Sequence, residues 1–209
     1  MAGRIHIDLF TTLDGVAQAP GGPEEDTAGG FSFGGWQAPL IGSADGEQIM
    51  AGIRATDALL LGRRTYDIFA GYWPHQVDGP DAEIARKFDA IPKYVASRGE
   101  PDLGWRGSHL LGPDIAAEVA ELRERHNEVH VIGSIDFAHT LVAQSLFDQL
   151  NLWVYPIVVG PGKRLFEPDG PPAGLRLLAP PEASERGAVL LRYAPTGEKP
   201  TTGDMTPGA

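Results

Sequence analysis

The chain contains no cysteine, which excludes disulfides and thiolate metal centres. Positive charge is also scarce: 17 Lys and Arg stand against 28 Asp and Glu, for a formal net charge of −11. The long-range field of such a chain repels nucleic acid and anionic membranes, so neither is expected as a partner. No apolar run could span a bilayer, and Met1 to Asp8 lacks the apolar core of a leader. A soluble, cytoplasmic protein is the expectation. Several motifs are absent as well. No Gly-x-Gly-x-x-Gly fingerprint follows a predicted strand. Gly160-Pro-Gly-Lys163 has Ile157 where a phosphate loop needs glycine and Arg164 where it needs Ser or Thr. His126 and His130 are four apart, but Glu128 is misplaced for a zinc-protease pair and the segment reads as strand. With no clustered ligands, no metal is expected. No Gly-x-Ser-x-Gly elbow supports a hydrolase triad.

What is present reads as one α/β domain over residues 1–195, with 196–209 as a flexible tail, within a chain of 209 residues. Arg4 to Thr11 alternates as a strand, with Ile5, Ile7 and Leu9 on one face and His6, Asp8 and Phe10 on the other. Asp8 reads either as an edge or strand-end aspartate reaching solvent or as the wall of a substrate pocket. Thr11 to Pro39 is a loop carrying Glu24, Glu25, Asp26 and the stretch Gly29-Gly-Phe-Ser-Phe-Gly-Gly-Trp36. Its rings, with Phe33 and Trp36 as candidate substrate contacts, suit a lid that closes over a ligand or simply pack on the core. A helix follows with Ser43 as N-cap and Asp45 and Glu47 in its first turn.

Strands and helices then alternate, which implies parallel pairing. Strands are predicted at Ala58 to Leu61, Lys93 to Ser97, Ser108 to Gly112 and Asn127 to Gly133. Helices are predicted after Thr65, over Pro80 to Phe88, after Asp114 as N-cap, and after Ser134 as N-cap. From Gln149 the pattern changes. A long strand over Gln149 to Val159, then Leu175 to Leu178 and Ala188 to Tyr193, have no helices between them. The far side of the sheet should therefore be antiparallel, and the apolar strand around Trp153 and Tyr155 suggests a self-associating edge. Two strand-to-helix turns stand out, Gly62-Arg-Arg-Thr65 and Gly133-Ser134, with Ser97-Arg98 at a third strand end. A helix N-terminus offers unpaired amides and a positive dipole end to a phosphate, and open α/β sheets bind ligands beyond the carboxyl ends of their strands. The arginine pair alone could be surface charge. Together, the two turns, the first carrying the pair of arginines, suit a ligand with phosphates at two places, such as a pyridine dinucleotide.

Five stretches carry a resemblance: Thr12-Leu-Asp-Gly15, Asp57-Ala-Leu-Leu-Leu-Gly-Arg-Arg-Thr-Tyr66, Val131-Ile-Gly-Ser134, Leu146-Phe-Asp-Gln-Leu150 and Pro156-Ile-Val-Val-Gly-Pro-Gly-Lys-Arg-Leu-Phe166. In this set and order, the chain from Arg4 to Tyr193 resembles the dihydrofolate reductase superfamily, in the branch of the riboflavin-biosynthesis reductase domain. The resemblance implies a three-layer fold with a mixed eight-stranded sheet and helices on both faces, binding NADPH across its carboxyl edge. Gly62 belongs to the first turn, Arg63 or Arg64 would hold the 2′-phosphate, and Thr65 the pyrophosphate. Ser97 and Arg98 would lie by the adenosine. Gly133, Ser134, Ile135, Asp136 and Phe137 would cradle the pyrophosphate. Val16, Ala17 and Gln18 would approach the nicotinamide by backbone. Members of the family usually carry two glycines where this chain has Gly133-Ser134, so Ser134 either crowds the phosphates or binds them. No deaminase-like segment stands ahead of this stretch, so reductase chemistry alone is the expectation, with a homodimer as the assembly. The expected activity is hydride transfer from NADPH to a small heterocyclic (pteridine- or pyrimidine-like) or sugar-derived substrate. Asp45, Asp14 and Asp8 are the candidate proton donors. The alternatives are a non-catalytic NADPH-binding or sensor protein and a flavin enzyme on a similar sheet.

Overall fold

The computed structural model describes residues 2–205. Nine strands form one mixed sheet: β1 (Arg4–Thr12), β2 (Ala58–Gly62), β3 (Lys93–Ala96), β4 (Ser108–Leu110), β5 (Glu128–Ile132), β6 (Gln149–Tyr155), β7 (Leu175–Leu177), β8 (Glu182–Ala183) and β9 (Val189–Pro195). The order is β4-β3-β2-β5-β1-β6-β9-β7, with β8 beside β9. Every pair from β4 to β6 is parallel, and the pairs made by β9 are antiparallel. The expected eight strands become nine because β8, two residues long, carries no periodicity to read.

Helices α1 (Ser43–Ala55), α2 (Arg63–Tyr72), α3 (Ala82–Ala90), α4 (Ile115–Arg125) and α5 (Ile135–Ala143) complete the layers. Ile5, Ile7, Leu60, Val129 and Val131 pack against Val119 and Leu122 of α4 and Phe137 and Leu141 of α5. On the other face Leu59 and Leu61 meet Ile53, Tyr66 and Phe88 of α1, α2 and α3. Because β2 is covered on both sides, each of its leucines is fully buried and contributes roughly 1.5–3 kcal/mol.

Several boundaries differ from expectation for identifiable reasons. Gly42, not Ser43, is the N-cap of α1; its amide donates to Asp45 Oδ2 at 2.9 Å, so the third helical residue closes the end instead of a serine hydroxyl. Helix α3 starts at Ala82, after Pro80 has completed a turn. Strand β6 stops at Tyr155, because Pro156 cannot donate to a ladder. That strand is also interior, between β1 and β9, with Trp153 and Tyr155 buried, so it offers no self-associating edge. Asp8 likewise lies on a central strand, and the reading of it as an edge residue fails. Residues 196–205 hold no helix or strand, but Thr196 and Glu198 bond back to Gly174; the last four residues of the expected tail lie outside the described part.

One cation is buried at the far side of the sheet. Lys93 is fully covered; its Nζ donates to the carbonyls of Asp89 (3.3 Å) and Arg106 (2.9 Å) and sits 4.1 Å from the Trp105 ring centre. Burial pushes its pKa from 10.5 to about 8.

Candidate functional site

Strand β1 pairs with β5 only as far as Asp8–Ile132, then continues alongside β6 to Thr12. Beyond Ile132, β5 turns into α5 on one face, while β1 leads through its long loop to α1 on the other. The two strands part where their connections diverge, which is the place an open α/β sheet offers a crevice. Two helix N-termini meet beside it, at the carboxyl ends of β2 and β5. The Gly62 amide, at the N-cap of α2, donates to Ser134 Oγ at 2.9 Å, and the Ser134 amide donates to Thr65 Oγ1 at 3.0 Å. Gly133 has φ +64°, and a Cβ on it would lie 3.7 Å from the Thr65 methyl. The first-turn amides of Ile135, Asp136 and Phe137 have no helical acceptor, as at any helix start. Phe137 buries its ring in the core and Asp136 is exposed.

Gly62 pairs with Ala96, so Ser97 and Arg98 emerge beside Arg63 and Arg64. The Ser97 hydroxyl accepts the Gly99 amide at 3.2 Å, and Arg98 is exposed. Arg63 is held by Asp67, one turn along α2, at 2.7 Å. Arg64 faces Asp26 of the long loop at 3.8 Å, and the same carboxylate accepts from Lys163 Nζ at 2.5 Å. Burial raises the Asp26 pKa, but the Lys163 hydrogen bond and the two positive charges outweigh it and hold the group below the usual carboxylate range.

The long loop is folded down. Trp36 is buried, donates from Nε1 to the Gln18 carbonyl at 2.9 Å and packs edge-on to Tyr155; Phe31 is buried, and Phe33 is exposed. Of the two candidate substrate contacts, Trp36 is thus a packing anchor and Phe33 keeps a free face. Burial pushes the Tyr155 hydroxyl up to about 12, and it accepts from Gln37 at 2.8 Å. Val16, Ala17 and Gln18 are tied to the 157–164 turn or to their own loop. The Val16 amide donates to Thr12 Oγ1, the Ala17 amide to the Lys163 carbonyl, and Gln18 Oε1 accepts the Lys163 amide. Gly162 closes this contact at φ +131°, where a Cβ would stand 2.5 Å from Val16 and 3.0 Å from Phe31.

The three candidate acids do not converge. Asp14 is a turn clamp, accepting from the Thr12 hydroxyl and the Val159 and Gly160 amides, with Arg164 at 3.4 Å. Asp8 lies between His130 Nδ1 (2.6 Å) and Asn151 Nδ2 (2.7 Å). Its burial opposes ionisation, and His130 together with the Asn151 bond lowers its pKa in spite of that. Asp45 spends one oxygen on the Gly42 amide and lines a pocket of about 260 Å³ with Gln48, Glu182 and Ser184. Sequence reasoning missed two features. One is Asp26 as the partner of Arg64 and Lys163. The other is the grouping of His6, Glu128 and His130, whose signal was polar alternation in two strands destined for the centre of the sheet.

Sheet order and the helices on its two faces define an α/β fold of the reductase type. The chain belongs to the RibD C-terminal domain family, whose model matches residues 4–186. It is 27% identical over 168 residues to the uncharacterized protein YyaP of Bacillus subtilis (strain 168), covering 78% of this chain and 80% of YyaP. The fold is similar to that of a putative riboflavin biosynthesis protein from Shewanella sp. PV-4, with TM-score 0.68 and 18% identity, over 93% of this chain and 99% of that one. It is also similar to dihydrofolate reductase from Enterococcus faecalis, solved in complex with NADP(H) and RAB-propyl. There the TM-score is 0.57 and the identity 14%, over 94% and 98% of the two chains. Among the described residues no helix is long and apolar enough to cross a membrane.

Proposed function

We propose that the chain is an NADPH-dependent reductase acting on a small heterocyclic (pteridine- or pyrimidine-like) or sugar-derived substrate. The observation that carries this reading is the direct contact of two helix N-termini, Gly62 amide on Ser134 Oγ, beside the crevice where β1 and β5 separate. At the phosphate and adenosine end, the residues present suit the cofactor, whereas the Val16 and Ala17 amides are already bonded within the protein. The first-turn amides at Thr65 and at Ile135 to Phe137 suit the pyrophosphate, and the positive φ of Gly133 keeps side chains out of its way. Ser134 Oγ accepts the Gly62 amide and so keeps its own hydrogen to donate to a phosphate oxygen. Arg63 and Arg64 suit the 2′-phosphate, with Ser97 and Arg98 toward the adenosine. NADPH bound here would supply the hydride, leaving the protein to position substrate and exclude water.

Among the three acids, Asp45 is the proton donor this reading favours. It sits at the start of α1 and lines the pocket of about 260 Å³, with one oxygen on the Gly42 amide. Asp14 is consumed by its turn and Asp8 by His130 and Asn151. Titration of NADPH by fluorescence tests the cofactor assignment. Changing Arg63 and Arg64 together to alanine removes charged hydrogen bonds of about 1.5–3 kcal/mol each, so NADPH should bind at least tenfold more weakly while NADH is unaffected. Equal NADPH affinity in both proteins refutes the 2′-phosphate role.

A further inference from the structure

Two central parallel strands covered by helices are normally apolar on both faces, yet β1 and β5 carry a polar stripe. His6, Asp8, Glu128 and His130 lie on the face opposite Ile5, Ile7, Val129 and Val131. Asp8 and His130 satisfy one another, and Asn151 completes Asp8. His6 has only the Glu128 carboxylate at its Nε2. It is 6% exposed, and that nitrogen lies 2.6 Å from Glu128 Oε2, outside hydrogen-bond geometry. The His6 and His130 rings are stacked at 4.6 Å and 9°. One donor atom from each of His6, Glu128 and His130 lies within 4.8 Å of the other two.

We propose that His6, Glu128 and His130 bind a divalent transition-metal ion, on the sheet face that also packs α1 and apart from the paired helix starts. Two imidazoles and one carboxylate form a set suited to zinc or cobalt. Calcium and magnesium call for more oxygen ligands than this cluster has. Asp8 supplies what a bare cluster lacks. By accepting from His130 Nδ1 it fixes the tautomer that leaves Nε2 a lone pair, which is the carboxylate–histidine arrangement behind metal-binding histidines; Asn151 in turn fixes Asp8. Glu128, with 37% of its side chain exposed, gives the ion an entry and leaves a fourth position for water. Donors about 2.0–2.2 Å from a tetrahedral ion stand roughly 3.3 Å apart. The ion therefore draws the donors, which lie within 4.8 Å of one another, together by at most roughly 1.5 Å, a movement on the scale of side-chain rotation.

The test uses the full chain, stripped with EDTA and dialysed, with no nucleotide present, so that its result is independent of the reductase reading. Zn²⁺ is titrated calorimetrically, and Co²⁺ is followed by its visible d–d absorption. One equivalent of each should bind, with a cobalt spectrum of tetrahedral or five-coordinate type. Glu128→Gln, at a half-exposed position that leaves packing intact, should weaken binding at least tenfold. Asp8→Asn should weaken it about 10–100-fold. His6→Gln should abolish the cobalt spectrum, while His75→Gln, outside the cluster, should leave it unchanged. Absence of a cobalt spectrum in the parent protein, or the same spectrum and Zn²⁺ affinity in Glu128→Gln, overturns the proposal.

Discussion

Ser134 sits in the left-handed region, at φ 58° and ψ 50°, and its hydroxyl is the only side-chain link from the second helix start to the Gly62 amide among the described residues. Substitution separates these two facts. A non-glycine residue in this region carries about 1–2 kcal/mol of backbone strain. Leaving the part-buried Gly62 amide without its acceptor costs about 1–3 kcal/mol. Ser134→Ala keeps the strain and loses the bond, so it should destabilise by about 1–3 kcal/mol. Ser134→Gly loses the same bond but relieves the strain, so it should be about 1 kcal/mol more stable than the alanine variant. In a domain of this size that gap is about 2–4 °C in Tm. Urea unfolding with a shared m-value gives the free energies, and NADPH titration of the same proteins gives the functional consequence. Because the serine hydrogen is free to donate, both variants should bind NADPH several-fold more weakly. A glycine variant less stable than the alanine variant would refute the strain assignment. NADPH affinity unchanged in both would show that Ser134 serves the turn alone.

Two further outcomes follow from buried groups. Lys93 has a folded pKa of about 8 against 10.5 for the free side chain, so between these values the unfolded chain holds the extra proton and stability rises with pH. Relative to Lys93→Met, the parent protein should gain up to about 3 kcal/mol as pH climbs from 8 to 10.5; a difference that stays flat across that window contradicts the burial argument. Gly162→Ala should lose about 2–5 kcal/mol, from a Cβ 2.5 Å from Val16 and a φ of +131°. Gly160→Ala, at φ +82° with nothing within 4 Å, should lose only about 1–2 kcal/mol, and equal losses in urea unfolding would refute the steric account.

The features legible in the sequence are those with local causes. The starts of α2 and α5 could be read because an apolar strand, a glycine and a helical stripe succeed one another within a dozen residues, and the change to antiparallel pairing after Gln149 could be read from missing helices. The His130–Asp8 bond joins residues 122 apart, and it exists only because β5 inserts beside β1. No window of sequence contains that register, so Asp8 could be assigned to an edge and the histidines dismissed as unclustered. Asp26 posed the same difficulty in a loop, where the chain turns through glycine conformations that no hydrophobic period encodes. Trp36 and Phe33, equivalent in composition, separated only when Tyr155 and the Gln18 carbonyl claimed one ring.

Asp26 has a consequence for any anion that approaches Arg64. The loop carboxylate already sits against Arg64 and Lys163, so an arriving phosphate replaces a tenant instead of filling bare cationic space. Added salt then weakens the departing contact along with the incoming one. The net dependence on ionic strength becomes shallow, while Asp26 keeps its hydrogen bonds from Lys163 and the Ala28 amide and stays anchored in the loop.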